Sequence, residues 1–444
     1  MSLEHPVDVP WVRRLFLQNI KCFGTSEISF LASDSAVSAA VVLGDNGTGK
    51  TTLLRALALG LCDPKDAKFL FETQDWLRKD ATNGTISVEM LVNGEVKTRD
   101  IHIVRREYGE DIDHISDIAN TTTTQDNIFV CAYGAARRTF GTESPRSYRA
   151  RDAVSTLFTR DAPLQNPELA FRRIADSGGD REDLLQRINR LLMLPQGSTK
   201  LGDEGFEVRG PWGEYTPVGS LSDGYNGTLA WILDMIGRAF MHSPSCAERG
   251  VRGVVLVDEL EQHLHPSWQR RIISRLHEQF PLVQFVFTTH APLCVVGTTD
   301  LDDHDVALTH LGLRGGVVKA DSGIRPPRGM RADNILTSYL FGLDTTGDDE
   351  TAGQIRKLSV LLGQGELNEA ERGEVERLRH DLELKLSPAE TDLERDVSAE
   401  LLSTIEDGVR GRLIKLGRKL GSGSAEPIDF EIRRQLRDLF EHLP

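Results

Sequence analysis

The run Gly44-Asp45-Asn46-Gly47-Thr48-Gly49-Lys50-Thr51 has the composition needed to hold a nucleoside triphosphate. Small glycines let successive backbone N–H groups turn toward phosphates, and a helix opening behind them adds its positive end. In such a loop Lys50 reaches the β- and γ-phosphates and Thr51 supplies a hydroxyl to Mg2+. Asn46, Thr48 and Thr52 complete the residues expected to touch ATP. Far downstream, the apolar run Val254-Val255-Leu256-Val257 ends in two adjacent carboxylates, Asp258 and Glu259. Ligands collect at the C-terminal edge of a parallel sheet. There Asp258 is suited to hold Mg2+ through water, and Glu259 to polarise an attacking water. A third apolar run, Phe285-Val286-Phe287, leads through Thr288 and Thr289 to His290, whose imidazole could bond a γ-phosphate oxygen. Finally, Leu221-Ser222-Asp223-Gly224-Tyr225 opens an apolar-periodic stretch (Leu229, Leu233, Ile236, Phe240). Ser222 suits an N-cap, and a capped helix start reading Ser-x-Gly is also an anion site.

The elements that must position these groups can be read around them. Residues 37–43 form a continuous apolar run, as expected of a buried parallel strand, and residues 51–61 follow as a helix with Leu53, Leu54, Leu57 and Leu61 inward. Residues 12–31 alternate as two strands, and 85–105 read as a hairpin turning at Asn93-Gly94. After a strand at 128–132 comes a helical region from about 150 to 195. Strands return at 253–257 and 283–288 around a helix at 267–279. This order predicts an α/β P-loop NTPase fold with a mixed sheet core, an inserted helical lobe and a C-terminal helical appendage. The expected divisions are 10–140 and 216–345 for the two halves of the core, 141–215 for the lobe and 346–444 for the appendage. In the appendage, Asn368 with Glu371 and Ser387 with Glu390 form capping boxes. Val375, Leu378, Leu382 and Leu386 make one apolar stripe, and Gly421-Ser422-Gly423-Ser424 links to a last helix at 429–443.

Composition excludes several classes. No run of 18 or more apolar residues spans a membrane, and no signal peptide is evident, so a cytoplasmic protein is expected. The five cysteines contain no C-x-x-C pair, which argues against a zinc module or a disulfide framework. His263 and His265 lack a third ligand nearby for a metal. With a net charge of −15, contact with nucleic acid would need a local basic patch. Two stretches qualify by composition. One carries Arg137, Arg138, Arg146, Arg149 and Arg151, with Phe140 and Tyr148 interleaved; the other carries Arg410, Arg412, Lys415, Arg418 and Lys419. A solvated face is the plainer reading of both.

Taken in order, the phosphate loop, the Leu-Ser-x-Gly string, the Asp-Glu strand end and the downstream His resemble an ABC-type ATPase head. The resemblance is to the RecF, OLD, SMC and Rad50 group rather than to hexameric AAA+ motors. Asp258-Glu259-Leu260-Glu261-Gln262-His263-Leu264-His265-Pro266 resembles the D-E-x-E-x-x-L-H-P string of stand-alone RecF/OLD-like heads. Tyr133-Gly134-Ala135-Ala136-Arg137 resembles their Y-G-x-x-R element, and Ser155-Thr156-Leu157-Phe158 their S-L-F segment. The resemblance covers residues 10–345. It implies a homodimer closed by ATP, each nucleotide lying between Lys50 of one subunit and Ser222 with Gly224 of the other. Hydrolysis using Glu259 and His290 would then part the subunits.

Departures from the pattern are equally specific. A Q-loop glutamine is not obvious; Gln125 and the segment 133–138 are the candidates. The L-H-P string stands where a D-loop aspartate would. Lys50 and Ser222 are 172 positions apart with no long heptad run, which excludes a long coiled-coil arm. Asp300-Leu301-Asp302 and Asp303-His304-Asp305 match the D-x-D of a Toprim nuclease but read as an acidic loop. The layout is similar to that of anti-phage ATPases of the Septu system. It implies a switch acting on an effector protein, a nuclease or other toxin. The alternatives are a RecF-like repair ATPase that clamps DNA and a transporter subunit, the latter opposed by the L-H-P string.

Overall fold

The structure is a computed structural model. It describes residues 9–116, 128–137, 147–166, 169, 170, 172, 180–202, 205–210, 213–217, 223–243, 246, 250–343, 348–363 and 368–386. The chain divides into two compact units, Met1–Leu343 and Asp344–Pro444.

The first unit is built on the strands β1 (Trp11–Ile20), β2 (Phe23–Ser29), β3 (Leu31–Ala32), β4 (Ser35–Ala36), β5 (Ala39–Gly44), β6 (Asn83–Val92), β7 (Glu95–Arg106), β8 (Gly109–Ile115) and β9 (Val130–Tyr133). They continue with β10 (Thr199–Gly202), β11 (Gly205–Arg209), β12 (Tyr215–Pro217), β13 (Gly253–Val257), β14 (Val283–Thr288), β15 (Val306–Arg314) and β16 (Val317–Ile324). The helices that matter for the site are α1 (Lys50–Leu61), α2 (Pro64–Phe71), α3 (Ala150–Phe158), α4 (Arg181–Leu191) and α5 (Asp223–His242).

Eleven strands form one mixed sheet in the order β8-β7-β6-β1-β2-β16-β15-β5-β14-β13-β9. From β15 to β9 the neighbours run parallel, while β1, β2, β6, β7 and β8 pair antiparallel. Parallel strands are covered on both faces, and β5, β13 and β14 obey this residue by residue. Ala39, Val41, Leu43, Val255, Val257, Phe285 and Phe287 enter one core; Ala40, Val42, Val254, Leu256 and Val286 enter the other. The first core is filled by α4 and α5, the second by α1, α2 and α3. The hairpin β6–β7 turns at Asn93 (φ 53°) and Gly94 (φ 78°), the left-handed pair that the Asn-Gly signal calls for.

Two expectations need correction. The segment 141–215 is not wholly helical: besides α3 and α4 it feeds the three-stranded antiparallel sheet β10-β11-β12. Its strands are only three to five residues long, too short for their alternation to stand out. The hairpin β15–β16, joined at Gly315 and Gly316, was not expected, yet β15 lies beside β5 near the middle of the sheet.

The second unit contains a pair of packed helices, Asp349–Gly363 and Glu369–Leu386. Leu361, Val375 and Leu378 form its small core. The expected capping box is reciprocal: Asn368 N–H donates to Glu371 Oε2, and Glu371 N–H to Asn368 Oδ1, both at 2.9 Å. The second capping box, the Gly-Ser linker, the basic stretch after Arg410 and the last helix lie outside the described residues.

Candidate functional site

Register decides where the chemistry meets. In β13–β14 Val257 pairs with Phe287, and in β14–β5 Thr288 pairs with Val42, so the three strands finish at one edge. The segments Gly44–Thr51, Asp258–Glu259 and Thr288–His290 therefore leave the sheet side by side.

The loop needs its glycines. Gly44, Gly47 and Gly49 have φ of 147°, 82° and 87°, where side chains are strained. A Cβ on Gly44 would lie 2.5 Å from the Leu311 carbonyl oxygen, and one on Gly49 would run into Cys22 and Phe23. Gly49 caps α1 without any side-chain bond, which leaves the first N–H groups of the helix facing the loop. Thr48 Oγ1 donates to the Asp45 carbonyl at 2.8 Å. Lys50, 7% exposed, curls under the loop and donates to the carbonyls of Gly44 (2.6 Å) and Asp45 (2.9 Å). Burial lowers its pKa, against the pull of Asp258, Glu261, Glu259 and Asp45.

Asp258, 4% exposed, is gripped from two strand ends. Its Oδ2 accepts from the Thr51 hydroxyl at 2.6 Å, and its Oδ1 from the Thr288 hydroxyl. A hydroxyl and a carboxylate so close are hard oxygen donors of the type Mg2+ takes, so the residues present fit the ion. Glu259 stands in the left-handed region at φ 47°, its N–H donating to Thr288 Oγ1 at 2.9 Å. Asp258 and Glu259 line a cleft of about 530 Å³ with Thr51, Arg55, Gly134 and Gln262. His290 follows at the same edge, its backbone N–H donating to Glu261 Oε1 at 2.6 Å.

Of the residues expected from sequence, Gly44 to Thr52, Asp258, Glu259 and His290 thus converge on one edge. Gly224 lies in the first turn of α5, and Ser222 and Gln125 fall outside the described residues. Others were missed or misread. Arg137, read as part of a basic patch, is 4% exposed and donates to the carbonyls of Asp258 (2.6 Å) and Glu259 (2.9 Å). Its partner in that patch, Tyr148, is spent on the Val130 backbone, and Arg151 stacks over Phe69. Tyr133 donates to Asp234 Oδ2 at 2.9 Å, and Arg238 to the same oxygen at 2.7 Å, which locks α5 onto β9. The sequence feature that joins them is the string Tyr133-Gly134-Ala135-Ala136-Arg137, which holds both Tyr133 and Arg137. The acidic loop is tied up in ion pairs, Asp300 with Arg270 and Asp303 with Arg328. His265 caps the short helix Pro266–Gln269.

Residues 14–199 match a family model described as "AAA domain", and residues 172–295 one described as "AAA domain, putative AbiEii toxin, Type IV TA system". The chain carries an α/β P-loop NTPase head. The head is similar to "Septu protein PtuA" of Bacillus mycoides (strain KBAB4), 25% identical over 84% of this chain and 50% of that protein. It is also similar to "Retron Ec83 probable ATPase" of Escherichia coli, 37% identical over 24% of this chain and 18% of that protein. The chain thus spans at most about half the length of these curated relatives. Among solved structures, the SMC head domain from Thermotoga maritima aligns over 70% of this chain and 98% of that one, at 16% identity and TM-score 0.40. A RecF structure aligns over 71% and 100%, at 13% identity and TM-score 0.38. The similarity to the Septu ATPase expected from the layout is borne out. Among the described residues, no helix is long and apolar enough to cross a membrane.

Proposed function

We propose that this chain binds ATP with Mg2+ at the common edge of β5, β13 and β14, hydrolyses it, and uses the cycle as a switch on an effector protein. The observation that carries the reading is the contact of Thr51 with Asp258 beside Glu259, in one cleft at the mouth of the glycine loop. Backbone N–H groups of residues 44 to 52 would cradle the phosphates, and Lys50 would exchange the carbonyls of Gly44 and Asp45 for phosphate oxygens. When bound, Mg2+ would neutralise charge developing between the β- and γ-oxygens. Thr51 and Asp258 would hold it. Glu259 would orient the attacking water and accept its proton, and His290 would contact the γ-phosphate.

The dimeric arrangement extends this reading: two heads would close on ATP, with Ser222 and Gly224 of the second copy completing each site. Similarity to PtuA supports a cytoplasmic anti-phage role with a nuclease or other toxin as the effector. The alternative of a DNA clamp relied in part on Arg137, which is buried and engaged with the Asp258–Leu260 carbonyls.

The test uses two variants. Glu259→Gln should retain ATP, lose turnover and accumulate as a dimer in light scattering, whereas Lys50→Ala should lose nucleotide. A Glu259→Gln protein that stays monomeric with saturating ATP would sink the shared interface; one that still turns over would sink the catalytic assignment. Co-purification from the native host then asks for the effector.

A further inference from the structure

Glu259 occupies an unusual place for a carboxylate asked to aim at water. A side chain in the left-handed region is strained, and such a residue holds its conformation only when its surroundings over-determine it. The turn is held from two sides. On the N–H side, Glu259 donates to Thr288 Oγ1 (2.9 Å) and Leu260 to the Thr288 carbonyl (3.0 Å). On the carbonyl side the Gln262 N–H donates to the Glu259 carbonyl (3.0 Å), and one guanidinium spans the carbonyls of the whole turn. Arg137 Nη1 reaches the carbonyls of Asp258 (2.6 Å) and Gly134 (3.3 Å), and Nη2 those of Glu259 (2.9 Å) and Leu260 (3.4 Å). Burial pulls its pKa down to about 10, opposed by Asp258, Glu261 and Glu259, so the group is a cation at neutral pH.

We infer that Arg137 is a positioning residue for hydrolysis: its guanidinium fixes the backbone of Asp258-Glu259-Leu260, so that the Glu259 carboxylate is presented to the cleft. The inference rests on the reading of Glu259 as the group that activates water. Arg137 touches no nucleotide in this scheme and acts through the turn. The planar fork suits the task, because its two terminal nitrogens reach four carbonyls at once, one more than the three N–H donors of an ammonium. The same guanidinium ties the turn to the Gly134 carbonyl, and Gly134, Ala135 and Ala136 line the same cleft as Glu259. Displacement of this segment would therefore be felt at Glu259.

The test compares Arg137→Met and Arg137→Lys with the parent in the full-length chain, with melting curves as the check on folding. A misplacement of about 1 Å costs up to about a hundredfold in rate. The expected result is a kcat about ten- to a hundredfold lower for Arg137→Met, a smaller loss for Arg137→Lys, and a Kd for ATP within about threefold of the parent. Adding Arg137→Met to Glu259→Gln should leave the residual rate unchanged, since both act through one carboxylate. Equal losses in affinity and turnover, or an added Arg137→Met effect in the Glu259→Gln background, would overturn the inference. If Arg137→Met does not fold, Arg137→Lys decides by the same split and the same double variant. If the parent does not hydrolyse ATP, the functional reading fails and takes this inference with it. If the parent turns over and the Arg137 variants match it, the inference alone fails.

Discussion

Asp234 is the residue whose removal should cost the head most per atom. It is 1% exposed and accepts three bonds: Arg238 Nε at 2.7 Å, the Tyr133 hydroxyl at 2.9 Å and the Gln165 backbone N–H at 2.8 Å. Summing about 1.5–3 kcal/mol for each bond to a charged acceptor would overcount, because the three share one carboxylate. The larger effect is electrostatic. Arg238 is itself 4% exposed, and Asp234→Ala leaves that guanidinium buried with its counter-charge gone, at about 3–5 kcal/mol. For a head of this size about 2 °C accompanies each kcal/mol, so the melting temperature should fall by about 6–10 °C. The discriminating partner is the double variant Asp234→Leu with Arg238→Met. Replacing a whole buried pair by apolar groups is often neutral, so the double variant should recover the charge penalty, while the Tyr133 hydroxyl and the Gln165 N–H lose their acceptor in both variants. The reasoning is refuted if Asp234→Ala costs under about 1 kcal/mol, or if the double variant is no more stable than Asp234→Ala.

Three further outcomes are expected. Gly49→Ala forces a side chain into φ 87° and against Cys22 and Phe23; strain of about 1–3 kcal/mol should weaken nucleotide binding about five- to 150-fold, read by equilibrium titration. The lowered pKa of Lys50 means that the folded state releases this proton below the usual lysine range. ATP affinity should therefore begin to decline at a pH below 10.5, while this group's contribution to stability rises as pH climbs from its folded pKa toward 10.5; a pH series of titrations and melts checks both signs. Asn368→Ala removes one half of a reciprocal cap and should cost about 1 kcal/mol, seen as faster amide exchange in the first turn of Glu369–Leu386 in the full chain.

What the sequence disclosed follows from the range over which each feature is determined. The glycine loop, the Asp258-Glu259 strand end and the Asn93-Gly94 turn are local: a few adjacent residues specify both conformation and chemistry. The sheet core was legible where strands are buried on both faces and read as unbroken apolar runs, as in β5 and β13. The short strands β10 to β12 gave no such run. β15 and β16 carry only partial apolar runs and no motif that marks them. Arg137, Thr288 and Asp234 could not be seen as structural, because their roles depend on partners about 30 to 120 positions away. A buried cation and a solvated one have the same letter. Only the carbonyls around Arg137 tell them apart.

The alignment of three strand ends has a consequence for how the protein is made. Thr51 meets Asp258 across 207 positions, and Asp258 meets Thr288 across another 30. The complete constellation of Thr51, Asp258 and Thr288 can therefore form only once β13 and β14 have emerged and paired beside β5. At about 5–20 residues per second, synthesis leaves the glycine loop without its acidic partners for roughly ten seconds or more. During that interval the glycine loop lacks Asp258 and Glu259, so the proposed chemistry has neither its metal-holding carboxylate nor its base. Long-range pairing of this kind is slow to form. On the proposed reading, hydrolysis is thereby tied to completion of the sheet: a head with β13 or β14 out of register would lack Asp258 and Glu259 beside Thr51.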